Sequence, residues 1–425
     1  MLKVVQEAPD GEESVTYETL DAFMAQGARR MLLQALEAEV ASYLTRSAGE
    51  RDDNGHALVV RNGRGKPRTF TAGAGTFKVE APRVNDKRID DDGSRKKFTS
   101  KILPPYMRRS AKVEEVLPLL YLRGLSTLDF KEALPVLLGD DAAGLSPSAI
   151  TRLTNGWIDE CEQFKFRSLK EKRFVYVWAD GIHLRIRLGD SDNKLCVLVM
   201  VGVLEDGSKE LIALEDGYRE STDSWSTFLR SLKKRGMEPP LVAVGDGALG
   251  FWKAIGDVWP ETRHQRDWFH KMSNVLDKLP KRLQGKAKAA LREIYRSDTR
   301  EDAAALIDDF EETFGTKHPR AAECLRKDED ALLTYFDFPA EHWLHLRTSN
   351  AIESTFATVR LRHKITKGNG NREKCLAMVM KLMTMAQIRW RKCNGAALLP
   401  LVASGVKFKN GKRVQEESNS SGVAA

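Results

Sequence analysis

The chain has 425 residues, 42% hydrophobic and 30% charged, with a formal net charge of +8. A length of this order predicts about two to four domains with ample material for a core. No apolar run approaches the ~20 residues of a membrane span, residues 1–14 hold no apolar signal-peptide core, and the five cysteines form no CxxC pair. A cytoplasmic chain is expected, with no membrane partner, no zinc knuckle and no disulfide framework.

Residues 1–14 are acidic and read as frayed. A helix is expected from Thr16 to Thr45, where Phe23, Met31, Leu32, Leu36, Val40 and Tyr43 recur at helical spacing. His56–Gly63 and Thr76–Arg83 read as two short strands joined by the flexible, acid-free loop Gly63–Arg68. Arg64, Lys66 and Arg68 on that loop are candidate DNA-phosphate contacts. Positive charge concentrates here: Arg61 to Val113 holds fifteen Lys and Arg against five Asp and Glu. That surplus of ten exceeds the net charge of the whole chain, whereas a merely solvated face mixes signs.

Residues 112–160 read as a helical cluster. An apolar helix through Val113 and Leu122 ends at Gly124, and a second, capped by Ser126, runs from Thr127 to Leu138. Ser146 then caps a third, Ser148 to Glu160, with Pro147 at its start. Thr151, Arg152 and Asn155 lie on its polar face and are candidate DNA contacts of a helix-turn-helix.

A different pattern begins near Arg173. Phe174–Gly181 is a β-branched and aromatic run continued by the alternating Ile182–Arg187, followed by strands over Leu195–Val203 and Glu210–Leu214. A helix over Ser221–Arg235 leads to a fourth strand, Pro240–Gly247, a helix over Ala248–Trp259 and a possible fifth strand, Arg263–Phe269. Three sequential strands, a helix, a strand and a helix follow the order of a ribonuclease-H-like core, in which strands one and four are neighbours. Residues 270–340 carry only helical signals: Lys271–Leu279, Arg282–Arg296, Glu301–Phe314 and Ala321–Tyr335. A helix beginning at Asn350 and another over Lys374–Lys392, with four methionines in a core stripe, complete the core. Beyond Lys407 the tail is basic, then Ser-rich, and reads as disordered.

The fold class expected is therefore α+β multidomain: a ribonuclease-H-like α/β catalytic core with an all-α insertion, preceded by a helical, helix-turn-helix-like DNA-binding region. Its expected divisions are an N-terminal helical region (1–50), a basic hairpin or linker region (51–110) and the DNA-binding region (111–170). The catalytic domain follows (171–269 and 341–394), interrupted by the insertion (270–340) and trailed by the tail (395–425).

The chemistry is read from three carboxylates. Asp180 and Asp246 each precede glycine at the end of an apolar strand, and Glu353 lies in the first turn of the helix at Asn350. Each Asp-Gly alone is more often a turn, and Asn350 with Glu353 is also a capping box. Together the three are what a two-metal phosphoryl-transfer site needs. Mg2+ takes oxygen ligands, with Mn2+ an able substitute, and two ions stabilise the attacking and leaving oxygens at phosphorus. Asp180 would bridge the ions, Asp246 completing one site and Glu353 the other. No P-loop or nucleotide fingerprint is present, so the phosphorus is expected in a nucleic-acid backbone.

From Phe174 to Asn394 the chain resembles the IS256/Mutator family of DDE transposases. The resemblance rests on Trp178-Ala179-Asp180-Gly181, on Gly245-Asp246-Gly247, on Arg266–Val275, and on Thr348-Ser349-Asn350-Ala351-Ile352-Glu353-Ser354. The family's C/D-x-x-H motif stands here as Asp267 and His270. Membership implies Mg2+-dependent strand cleavage and transfer on double-stranded DNA, both element terminal inverted repeats and target. A homodimer or higher oligomer on DNA is expected, in a nucleoid-associated bacterial protein. The resemblance favours His270 at the edge of the active site over a core histidine. His183, His264, His345 and His363 show no partner pattern and read as structural. Arg360, two turns beyond Glu353 on the same helix face, is a candidate DNA contact. The competing readings are a catalytically inactive DNA-binding repressor and a ribonuclease-H-like nuclease that cuts without joining.

Overall fold

The computed structural model describes residues 4–5, 16–17, 20–90, 93–125, 127–139, 141–142, 147–186, 194–217, 219–247, 249–366, 368 and 370–414. It divides into two compact units, Met1–Leu153 and Thr154–Ala425.

In the first unit Val4–Val5 (β1) pairs antiparallel with Thr16–Tyr17 (β2), and Leu20–Arg46 forms the long helix α1. The helix expected from Thr16 thus starts later, because a β-branched and an aromatic residue are taken up in strand pairing. Val59–Arg64 (β3), Arg68–Ala72 (β4), Gly75–Val79 (β5) and Pro82–Asp86 (β6) follow. β4 pairs with β5, and β3 with β6, so two antiparallel pairs are nested. This corrects the single hairpin: Arg68 opens a strand of its own. The expected strand Thr76–Arg83 is split before Pro82, which cannot donate to a continuing ladder. Phe70, Phe77 and Val79 of β4 and β5 pack with Leu36 of α1.

Ala111–Leu122 (α2), Thr127–Leu138 (α3) and Pro147–Phe166 (α4) supply the expected helices. Val113, Leu117, Phe130 and Leu134 form a small core. The expected caps Ser126 and Ser146 lie outside the described residues.

The second unit is built on one five-stranded sheet. Its strands are Phe174–Arg185 (β7), Lys194–Leu204 (β8), Lys209–Gly217 (β9), Val242–Gly245 (β10) and Arg263–Arg266 (β11), in the order β11-β10-β7-β8-β9. β7, β8 and β9 run antiparallel, and β10 lies parallel to both β7 and β11. Parallel neighbours need crossovers, supplied by Thr222–Lys234 (α5) and Leu249–Val258 (α6). Trp225, Phe228 and Leu229 of α5 and Phe251 and Ile255 of α6 pack on Val177, Leu198 and Ala243 of the sheet. Strands one and four are neighbours, as expected. Gly181 is not a turn: β7 runs straight through it, opposite Leu198.

The fifth strand stops at Arg266, short of the expected Phe269. Asp267 instead caps Trp268–Leu276 (α7), its carboxylate accepting the His270 N–H at 2.7 Å. Lys281–Arg296 (α8), Arg300–Phe314 (α9), Pro319–Arg326 (α10) and Glu329–Leu333 (α11) follow. The single helix expected over Ala321–Tyr335 is broken near Asp328, whose carboxylate is drawn to Lys271 at 2.7 Å and Arg266 at 3.5 Å. Trp343–Leu346 (α12), Asn350–Ile365 (α13) and Arg372–Gln387 (α14) return to the sheet unit. Met378, Met380 and Met383 of α14 are buried, as a core stripe requires. The tail is ordered further than expected: Phe408–Lys409 pairs with Lys412–Arg413, and Phe408 is buried.

Phe228 is fully buried and meets the Trp225 ring edge-on at 5.5 Å between centroids. Phe228→Ala is expected to destabilise the second unit by about 3–5 kcal/mol, read as a lower urea midpoint.

Candidate active site

The parallel register lines up three aspartates. Val244 of β10 lies opposite Trp178 of β7, so two residues on Asp246 falls opposite Asp180. Gly245 lies opposite Arg266 of β11, so one residue on Asp267 falls beside Asp246. In open α/β sheets this is the edge at which loops gather and ligands bind.

A fourth carboxylate joins them from the loop before α5. Glu220, Asp180 and Asp246 each place a carboxylate oxygen within 4.8 Å of the others. The glycine after Asp180 makes this possible, since a Cβ on Gly181 would fall 2.5 Å from the Glu220 carboxylate. Arg219, just before Glu220, is held at φ 101°, a strained conformation for a non-glycine residue. Gly247 after Asp246 has φ +84°, and a Cβ there would fall 0.6 Å from a guanidinium nitrogen of Arg266. The buried Arg266 therefore crosses the main chain beside Asp246.

Burial first, then the charges of Asp246 and Glu220, push the Asp180 carboxyl up to about 7. Burial and Asp246 likewise raise Glu220. Repulsion within the group thus adds to burial.

A second group forms around Asp267, which is wholly buried. Asp267, His270 and Glu353 offer ligand atoms within 4.8 Å of one another. His270 Nδ1 lies 3.2 Å from Asp267 and 3.5 Å from Glu353. Its bond to Asp267 outweighs burial, and with the charges of Glu353 and Asp246 it raises the imidazole to about 9. Burial alone would raise Asp267; its bonds from His270 and the Ser349 N–H win and hold it low. With its side chain 38% exposed, His270 is no packed core residue. Its positive charge is felt by Asp180 and Glu220 as well, so it couples the two groups.

The capping-box reading of Glu353 is corrected. The N-cap of α13 is Ser349, and Asn350 is the first helical residue. The Ser349 hydroxyl contacts both Asp267 at 2.9 Å and Glu353 at 2.8 Å, so Asp267 anchors the start of α13 from across the fold. The tight group around Asp180 and Asp246 is completed by Glu220, while Glu353 stands with Asp267 and His270. Glu220 carries no motif, and only its place just before the capped helix α5 marks it. Asp267 was visible in the D-x-x-H spacing, without its linking role.

The remaining candidates separate by exposure. Arg64, Lys66, Thr151, Arg152, Asn155 and Arg360 are exposed. Arg64 lies 3.3 Å from Glu37, and Arg360 stacks over Phe356 at 5.8 Å. Arg68 turns inward, donating to the carbonyls of Leu103 at 2.9 Å and Pro104 at 3.1 Å. Of the histidines read as structural, His183 does have a partner, Glu220 at 3.7 Å. Cys196 lies beside them, but burial pushes its thiol up to about 12, so it offers no thiolate. His264 lies against the Trp252 ring, and His345 and His363 accept main-chain N–H groups of Asn394 and Arg185.

The family profile described as "Transposase, Mutator family" matches residues 3–393. The chain belongs to the Mutator family of transposases. It is 52% identical over 307 residues to the transposase for insertion sequence element IS6120 of Mycolicibacterium smegmatis, covering 72% of this chain and 94% of that one. It is 43% identical over 289 residues to the IST2 transposase of Acidithiobacillus ferrooxidans, covering 66% and 95%. With the ISRM5 transposase of Rhizobium meliloti the identity is 28% over 366 residues, 86% and 88% of the two chains. A transposase cuts and transfers DNA, so its substrate is DNA. Among the described residues of this transposase no helix is long and apolar enough to cross a membrane.

The raised Asp180 carboxyl has a consequence for stability. Its folded value of about 7 lies above the ordinary ~4, so the native state prefers the protonated form and loses stability as pH rises through that window. Asp180→Asn removes this cost. Melting in EDTA is expected to show equal melting temperatures near pH 4 and a higher one for the variant above pH 7, by about 2–4 °C per kcal/mol relieved.

Proposed function

We propose that this transposase is a DDE enzyme in which Asp180, Asp246 and Glu353 hold Mg2+, or Mn2+ in its place, for DNA strand cleavage and strand transfer. The observation that carries the reading is the alignment of Asp180 with Asp246 at one sheet edge, with Glu220 within reach and Glu353 tethered through His270. Three antiparallel strands followed by helix, strand, helix and strand also support a ribonuclease-H-like core.

The donor set fits a hard divalent cation: all oxygens in the first group, with the charges of Asp246 and Glu220 adding to burial in raising Asp180. Bound there, Mg2+ would supply positive charge to the oxygens around phosphorus. Glu220 adds a further oxygen beside Asp180. Asp267, its oxygens engaged by His270 and Ser349, acts as a positioning residue. His270, protonated at neutral pH, holds Glu353 toward the site. In cleavage, water attacks the phosphodiester and frees a 3′-OH. In transfer, that 3′-OH attacks a target phosphodiester, so no covalent protein–DNA bond is required.

Glu353→Gln tests the assignment. Gln keeps an amide oxygen for the Ser349 hydroxyl, so α13 should form as before. The variant is expected to fold and bind DNA while cleavage and joining both fall to background in Mg2+. Near-normal strand transfer would remove Glu353 from the metal-binding set.

Recognition of the terminal inverted repeats is assigned to the helix-turn-helix-like region, Thr151, Arg152 and Asn155 reading bases. The surplus of ten positive charges over Arg61–Val113 supplies backbone affinity. Arg64→Ala and Lys66→Ala are each expected to weaken binding alike on all sequences and to lower the salt slope by about 1. A variant that changes sequence preference at constant slope would place these side chains at bases instead.

A further inference from the structure

The first turn of α13 has two working faces. Ser349 and Glu353, four residues apart, share the face toward Asp267 and His270. Asn350 and Ser354, again four apart, share the next face, turned by about 100°. That face borders a cavity of about 520 Å3. On its other sides stand Lys209, Arg389, Trp390 and Arg391.

Among the described residues that line the cavity there is no carboxylate. Lys209 is half-buried; its ammonium lies 3.5 Å from His345 Nδ1 and 5.9 Å from the Trp178 ring centroid. Burial, then Lys209 itself, keeps His345 near 4, so this imidazole is neutral. No described carboxylate pairs with Lys209, Arg389 or Arg391. A half-buried cation without an anion is costly, and it marks a place where an anionic ligand is gained cheaply. The opening amides of α13 add a positive helix end. Trp390 is half-buried and pinned by its indole N–H to Thr355 Oγ1 at 3.2 Å, which leaves a fixed ring at the wall. Three cations, a helix N-terminus and an immobile indole match a phosphate and a base. The volume suits one nucleotide, and a base pair with both backbones is too large for it.

We propose that this cavity is a subsite for one unpaired nucleotide of the DNA strand whose phosphodiester lies at the carboxylates, with the phosphate received at Lys209 and the base laid on Trp390. The proposal rests on the metal-site reading given above. A strand crossing the first turn of α13 passes from the Glu353 face to the Asn350 face, so one short helical turn sets the spacing between the reacting phosphate and the bound base.

The test uses the full chain in EDTA and a single-stranded oligonucleotide carrying 5-iodouracil, which cross-links to aromatic side chains on irradiation. The main adduct is expected on Trp390, mapped by peptide mass spectrometry. Lys209→Gln, and separately the exposed pair Arg389→Ala with Arg391→Ala, should each lower that adduct about tenfold, the scale of one hydrogen bond to a charged group. Lys209→Arg should restore it. An adduct elsewhere, or an adduct indifferent to both variants, would overturn the subsite. Asp180→Asn separates the two readings: the adduct persists while cleavage in Mg2+ disappears. Cleavage surviving in Asp180→Asn would strike down the metal site, and a missing Trp390 adduct with cleavage still dependent on Asp180 would strike down the subsite alone.

Discussion

The Asp267 carboxylate is the constraint on which the geometry of the site depends. It is wholly buried and charged, and a buried carboxylate is tolerated only when its oxygens are fully engaged. The His270 N–H and ring, and the Ser349 N–H and hydroxyl, engage them. These donors sit on α7 and just before α13, so one side chain ends β11, starts α7 and fixes where α13 begins. The link between Asp267 and Ser349 spans 82 residues of chain, which include the helices α8 to α12. Glu353 is thereby held in register with the sheet edge although the intervening helices share no strand with it.

Charge balance explains the remainder of the arrangement. Asp180, Asp246 and Glu220 crowd one edge, and burial first, then repulsion within this group, raises Asp180 and Glu220. His270 reaches both groups, and Arg266 adds a second cation behind Gly247. Burial raises Asp180 first, and the charges of Asp246 and Glu220 add to it against the pull of His270. Sites that bind cations carry this kind of field, and the fold bears its cost in the packing beneath, where Val177 and Ala243 of the sheet and Phe228 of α5 are wholly enclosed.

Much of this was legible in the sequence, and the reasons for success and failure are physical. The buried strands announced themselves through β-branched runs, and the neighbouring of β7 and β10 followed from strand order alone. Asp180 and Asp246 could therefore be placed together without coordinates. Glu220 could not, because its position depends on a loop crossing over Gly181, and loops carry no periodicity. What the glycines do was hidden for a related reason. Asp-Gly signals a turn, but Gly181 is a gap for a carboxylate and Gly247 a gap for a guanidinium. Ser349 displaced Asn350 as the cap because a tertiary partner, Asp267, outbid the local preference for asparagine. The nested pairing of β3 to β6 was hidden for the opposite reason: four short strands offer several registers, and only Pro82 marks the break. Arg68 looked like its neighbours Arg64 and Lys66, and only tertiary structure shows it bonded to main-chain carbonyls.

The same charge balance bears on whether such a chain is a working enzyme or a DNA-binding relic. A protein that only binds DNA has no use for a cluster that repels the phosphate backbone. For it, neutralising Asp180 or Glu220 would be a gain twice over, in stability and in affinity for a polyanion. Each substitution that drifted in would relieve repulsion, and nothing structural would hold the others in place. This chain keeps Asp180, Glu220 and Asp246 together, and Glu353 with Asp267 and His270, with the glycines whose missing side chains let Glu220 and Arg266 close in. It also keeps Arg219 in a strained conformation next to Glu220. Strain and repulsion at one edge run against the grain of stability, and the divalent-cation chemistry proposed above is a task that would need the negative charge.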